Sequence, residues 1–182
     1  MFKKKRSRVL CIGNSITANG GYVNYLRYKC KQPFDNMGIA GAPTRLLRST
    51  FKSIRKKEIY KDLIILGGVN NIIDIKSVTN DLQWIYTTAK ENGIRVIALT
   101  ITPWKGYKTW NKDKQKNTDA VNKWIMTQAK DIDIRVDTYT PMEASWRKDR
   151  LKKEFRDDSL HPNSEGQKFL GEIIYKAAFG GK

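Results

Sequence analysis

Short apolar runs alternate along this chain with longer amphipathic stretches. That alternation is the pattern of a parallel sheet covered by helices on both faces. Strands are predicted at Arg8–Gly13, Phe34–Gly38, Asp62–Leu66, Arg95–Thr100 and Ile132–Val136. The first and third are apolar through their middles, as expected of strands buried on both sides. Helices are predicted at Gly21–Lys31, from about Pro43 to Lys57, at Ser77–Asn92, from about Thr118 to Lys130, and from Asn163 or Ser164 to Phe179. Pro43 fits a first helical turn, where its missing N–H costs nothing, and Gly93 fits the position just past a helix end. The stretches Thr102–Asn117 and Tyr139–Asp157 read as polar or irregular. The pattern implies α/β architecture: a three-layer α/β/α sandwich around a five-stranded parallel sheet.

A chain of 182 residues, 40% hydrophobic, is long enough for one core and too short for two. One domain over residues 1–182 is expected, with residues 1–7 as a basic tail. No apolar run approaches the ~20 residues that span a bilayer. The basic residues from Lys3 to Arg8 imitate the start of a signal peptide, but Val9–Ile12 is too short to complete one. With no export signal, the expected setting is cytoplasmic, or a non-classically exported assembly or virus particle. Cys11 and Cys30 read as two buried thiols, compatible with a reduced compartment. A single histidine and no Cys/His cluster exclude a zinc site of the usual kind.

That histidine, His161, lies in Asp158-Ser159-Leu160-His161-Pro162. A carboxylate three residues before an imidazole can accept from one ring nitrogen and leave the other to act as a base. Taken alone, Asp-x-x-His is common by chance. A base needs something to activate, and Ser15 follows the first strand in Gly13-Asn14-Ser15-Ile16-Thr17. The competing reading makes Ser15 a helix cap, although Thr17 or Asn19 would serve equally. The α/β-hydrolase elbow needs Gly where Thr17 stands, so that fold is disfavoured. In doubly wound sheets, ligands bind beyond the carboxyl ends of the strands. The loops there are Gly13–Thr17, Gly38–Thr44 and Gly67–Asn71. The second offers backbone N–H groups unobstructed by side chains and the third a side-chain amide, the donors that acyl transfer needs for its oxyanion.

In this order the segments resemble the conserved blocks of the SGNH (GDSL-like) hydrolases. Gly13–Thr17 resembles the Gly-Asp-Ser-Leu block. Asn36–Gly41 resembles the second block, which implies an oxyanion-hole N–H at Gly41. Gly68-Val69-Asn70-Asn71 resembles Gly-x-Asn-Asp, which implies an oxyanion-hole amide on Asn70, and Asp158–His161 resembles Asp-x-x-His. The resemblance spans residues 13 to 162. It implies a flavodoxin-like SGNH fold and a serine esterase with Ser15, Asp158 and His161 as triad, the Ser15 N–H as a third oxyanion donor, and no metal or cofactor. Asn14 and Asn71 depart from the family's Asp at both positions, and both are expected to support loop geometry.

The excess of 35 Lys+Arg over 18 Asp+Glu, a formal charge of +17, implies an anionic partner or substrate, or else a solvated basic surface. Arg45, Arg48, Lys52 and Arg55 read as the solvated face of a helix. Arg147, Lys148, Arg150, Lys152, Lys153 and Arg156 lead into Asp158 and are expected near the mouth of the site. There they would draw in an acylated acidic glycan or another anionic ester. Trp104, Tyr107 and Trp110 read first as cover for a core edge, with a sugar-stacking wall as the alternative. A structural or adhesive component of a larger assembly is the competing function, and the intact Ser15, Asp158 and His161 weigh against it. Nucleic-acid binding rests on charge alone and ranks last.

Overall fold

The computed structural model describes residues 6–180, so most of the expected basic tail lies outside the described residues. Five parallel strands, β1 (Arg8–Gly13), β2 (Phe34–Gly38), β3 (Tyr60–Leu66), β4 (Arg95–Leu99) and β5 (Ile134–Val136), stand in the order β2-β1-β3-β4-β5. Around them pack α1 (Ser15–Asn19), α2 (Gly21–Cys30), α3 (Thr44–Ser53), α4 (Ile75–Glu91), α5 (Lys112–Thr127), the short α6 (Tyr139–Met142) and α7 (Ser164–Ala178).

The two-residue period of a strand divides the core in two. Leu10, Ile12, Leu63, Ile65, Val96 and Ala98 point to one face, where Leu47 and Phe51 of α3, Leu82 and Ile85 of α4 and Val121 and Ile125 of α5 cover them. Val9, Cys11, Ile64, Leu66, Ile97 and Leu99 point to the other, against Val23 and Leu26 of α2 and Leu170 and Ile174 of α7. Asp62 is the polar exception. Fully buried in β3, it accepts from Arg95 Nε of β4 at 2.6 Å. The chain leaves β1 for β2 on one side and then crosses to β3 on the other. Strand order therefore reverses between β1 and β3, which opens a crevice at their carboxyl ends.

Several expected boundaries shift. The helix expected to reach Lys57 ends at Ser53, where the Lys57 ammonium takes the free Ile54 carbonyl at 2.6 Å. Pro43 sits at the cap position before that helix and not within its first turn. The helix expected from Thr118 starts at Lys112, six residues earlier. Asn111 caps it by accepting from the Lys114 N–H at 2.8 Å, ahead of a first turn and a half too polar to show periodicity. The stretch read as irregular holds α6 and an antiparallel hairpin, β6 (Glu143–Ala144) with β7 (Arg147–Leu151), whose charged residues hide strand alternation. Cys11 is buried as expected, but Cys30 is only half-buried. α4 ends as expected at Gly93, in the left-handed region at φ +67°, with the Ile94 N–H closing onto the Ala89 carbonyl at 2.9 Å.

Candidate active site

Ser15 is placed by the turn from β1 into α1. A Cβ on Gly13 would lie 2.1 Å from Thr17 Oγ1 and 2.7 Å from the Leu66 carbonyl oxygen, so only glycine lets the strand turn this sharply. Asn14, not Ser15, caps α1: its Oδ1 accepts from the Ile16 N–H at 3.1 Å. The Ser15 hydroxyl is thereby left for another partner. It donates to His161 Nε2 at 3.0 Å, across 146 residues of chain. His161 Nδ1–H donates to Asp158 Oδ2 at 2.9 Å, which fixes the tautomer with Nε2 as acceptor.

The other Asp158 oxygen accepts the backbone N–H groups of Leu160 and His161, each at 2.7 Å. Partial burial works to raise the Asp158 carboxyl, but the His161 ring and these two N–H groups outweigh it, and the carboxyl sits below the usual carboxylate range. The segment is anchored at both ends. Asp157 N–H donates to the His161 carbonyl at 3.0 Å, and Asn163 caps α7 by accepting from the Gly166 N–H at 2.9 Å. The Tyr107 ring meets the imidazole edge-on, with centroids 5.9 Å apart.

The loops after β2 and β3 adjoin the turn that carries Ser15: the Ile39 N–H donates to the Gly13 carbonyl at 2.9 Å, and the Asn14 N–H donates to the Leu66 carbonyl at 3.3 Å. Gly41 turns at φ +71°, a conformation that favours glycine. Among the described residues, the N–H groups of Ser15 and Gly41 donate to no acceptor in the chain. Asn70 lies at the end of the loop after β3, and its amide donates to the Ala42 carbonyl at 3.1 Å, which ties that loop to the Gly41 loop. The second amide hydrogen remains for a ligand.

Asn71 holds the same loops from behind. Its Oδ1 accepts from the Thr44 N–H and its Nδ2 donates to Thr44 Oγ1, both at 3.0 Å. The Thr44 hydroxyl passes its own hydrogen to Asp81 at 3.0 Å. Arg48 donates to the other Asp81 oxygen at 3.3 Å and stacks over Trp84, so one residue of the stripe read as solvated is engaged.

Beside Asn70 lies a cavity of about 280 Å³ with Tyr107 and Leu160 in its wall. Of the loop aromatics, Trp104 is buried with its indole N–H on Thr118 at 3.1 Å, and the Trp110 indole donates to Gln115 at 3.0 Å. Trp110 packs against the core, Trp104 is part of the core and also lines the cavity beside Asn70, and Tyr107 meets the histidine. The basic 147–156 segment packs beside the loop bearing Tyr107, with Arg150 against Gly106 and the Asp149 carbonyl accepting from the Lys105 N–H at 2.9 Å. None of its cations lines the cavity beside Asn70. Gln167, Asp81 and Thr44 escape sequence reasoning. Each is a polar residue in an amphipathic segment, and nothing local marks it as buried.

The GDSL-like lipase/acylhydrolase family model matches residues 11–169. A GDSL-like lipase from Bacteroides thetaiotaomicron superposes with a TM-score of 0.75 at 19% identity, over 97% of this chain and 90% of that one. The acetylxylan esterase Axe2 from Geobacillus stearothermophilus superposes with a TM-score of 0.75 at 16% identity, over 96% of this chain and 95% of that one. No curated protein matches the sequence significantly. At these identities the superpositions speak for the fold, a five-stranded parallel sheet between helices, and the family match speaks for the chemistry. The chain belongs to the GDSL-like lipase/acylhydrolase family and is an ester hydrolase of the SGNH type.

Proposed function

We propose that the protein is a serine esterase that removes short acyl groups, such as O-acetyl, from a glycan or another anionic alcohol through an acyl-enzyme. The continuous chain of hydrogen bonds from Ser15 through His161 to Asp158 is the observation that carries this reading. His161 Nε2 takes the Ser15 proton as the oxygen attacks the ester carbonyl. Asp158 holds the ring and stabilises the imidazolium. The carbonyl oxygen becomes an oxyanion and collects the Ser15 and Gly41 N–H groups and the Asn70 amide. Collapse expels the alcohol, which receives the proton from His161. Water then attacks the acyl-enzyme with His161 again as base, releasing the acid and restoring Ser15. No step calls for a metal or an organic cofactor.

The short acyl group is supported by the fold shared with an acetylxylan esterase, and the anionic substrate by the +17 charge. The test is hydrolysis of para-nitrophenyl acetate by wild type and Ser15→Ala, followed by release of acetate from a panel of acetylated glycans. Loss on the order of 10⁴-fold or more in the variant is expected. Activity retained in Ser15→Ala overturns the assignment of the nucleophile.

A further inference from the structure

The cavity beside Asn70 has two chemically distinct parts. Its floor is apolar, built by Ile72, Trp104 and Leu160, and its rim carries two ammonium groups, Lys108 and Lys114. No Asp or Glu lines it, and among the described residues neither lysine has a carboxylate within ion-pair distance. Lys105, on the same loop, is by contrast spoken for by Asp149 at 3.4 Å.

Lys114 is held in place. It is half-buried, and its Nζ donates to the Thr109 carbonyl at 2.6 Å, which leaves two N–H donors without moving the side chain. Lys108 is exposed, and its ammonium lies 6.0 Å from the Tyr107 ring centroid. The same cavity touches Asn70, the proposed oxyanion donor, and Tyr107, whose ring edge meets His161. Two cations without a carboxylate partner therefore line a pocket that shares Tyr107 with the surroundings of His161 and Leu160 with the segment just before it.

We propose that Lys108 and Lys114 are the specificity-determining residues of this esterase and receive an anionic group carried by the ester substrate itself. This rests on the assignment of Ser15 as nucleophile. The basic segment from Arg147 to Arg156 packs against the same loop without lining this cavity, and its Asp149 is committed to Lys105 and to the Tyr139 hydroxyl at 2.9 Å. Two substrate classes supply such a carboxylate: a dicarboxylic half-ester at its far end, and an acylated uronic sugar on the alcohol side.

Two matched substrate pairs distinguish these sources. Para-nitrophenyl hydrogen succinate against its uncharged isostere, para-nitrophenyl isocaproate, places the charge on the acyl side. O-acetyl glucuronic acid against O-acetyl glucose places it on the alcohol side. In wild type, one pair is expected to show a charged-over-neutral ratio in kcat/KM of roughly 10 at low salt, declining as salt screens the rim. The double charge reversal Lys108→Glu with Lys114→Glu is expected to bring that ratio below one. The double Lys→Arg variant keeps the charge and is expected to keep the preference. No preference in either pair, or a preference unchanged by charge reversal, overturns the proposal. Ser15→Ala is assayed in parallel: turnover surviving there strikes at the nucleophile, whereas an unchanged ratio in the charge-reversed double variant strikes only at the rim.

Discussion

Gln167 of α7 donates its amide to the Ile16 carbonyl of α1 at 3.1 Å. Its Oε1 accepts from the Tyr22 N–H of α2 at 3.0 Å, and the side chain is almost fully buried. One side chain thus ties the helix that follows His161 to the helix that begins with Ser15. This buried bridge adds to the apolar packing of Val23 and Leu26 of α2 against Leu170 and Ile174 of α7, which brings the serine and histidine segments together.

Removing that link leaves the Ile16 carbonyl and the Tyr22 N–H without partners in the interior. Gln167→Leu, which keeps the bulk, is expected to cost about 1–3 kcal/mol for these stranded groups. Urea denaturation reads this loss. A parallel drop in kcat, with KM little changed, is expected as the imidazole loses its register with the hydroxyl.

Asn71 stands where the family pattern has Asp, and the surrounding network gives the reason. The Thr44 hydroxyl has one hydrogen, which goes to Asp81, and it accepts one from Asn71. An aspartate at position 71 would set two carboxylates against a single hydroxyl hydrogen. Asn71→Asp is accordingly expected to destabilise the fold by about 1–3 kcal/mol and to loosen the Gly41 loop. Additional replacement of Asp81 by Asn should recover part of the loss, and thermal melts of the single and double variants check this.

Asn70 serves two bonds with one amide, to the Ala42 carbonyl and to the proposed oxyanion. Asn70→Ala is expected to lower kcat by roughly 10²–10³-fold. If the fall sits mainly in KM, the amide binds the ground state and not the developing charge. Steady-state kinetics on a nitrophenyl ester separate the two.

Asp158 is an acid whose folded value lies below that of the unfolded chain, which is about 3.9. Its contribution to stability is therefore fully present above about pH 4 and is lost as pH falls through the lower, folded value. Asp35 follows the same sign, because the Arg8 guanidinium donates to its carboxylate at 2.7 Å. Melting temperatures should fall in acid for wild type. In Asp158→Asn the fall should be smaller, and the Asp35 share should remain. At neutral pH the same variant is expected to lose roughly 10²–10⁴-fold in kcat, since an amide no longer favours the productive tautomer. A wild-type and Asp158→Asn difference that does not narrow on acidification would falsify the linkage.

Residue order alone determined the layered α/β architecture, because strands buried on both faces must be continuously apolar. Val9–Ile12 and Leu63–Leu66 could not be solvent-facing anywhere. The Gly13–Ser15 and Gly67–Asn71 turns were legible because turns after strands favour Gly, Asn and Ser, and Asp158–His161 because a carboxylate stands three residues before the single histidine. Position in sequence leaves a polar residue's depth and partner open. The start of α5 at Lys112, the hairpin at Glu143–Leu151, the capping of α1 by Asn14 rather than Ser15, and the buried bridges of Gln167 and Asp81 were therefore decided by tertiary structure. So was the placing of two unpaired lysines, rather than the denser basic run, at the cavity beside Asn70. A charge in the chain is a local fact, but whether a carboxylate neutralises it depends on which distant segments the packed core brings together.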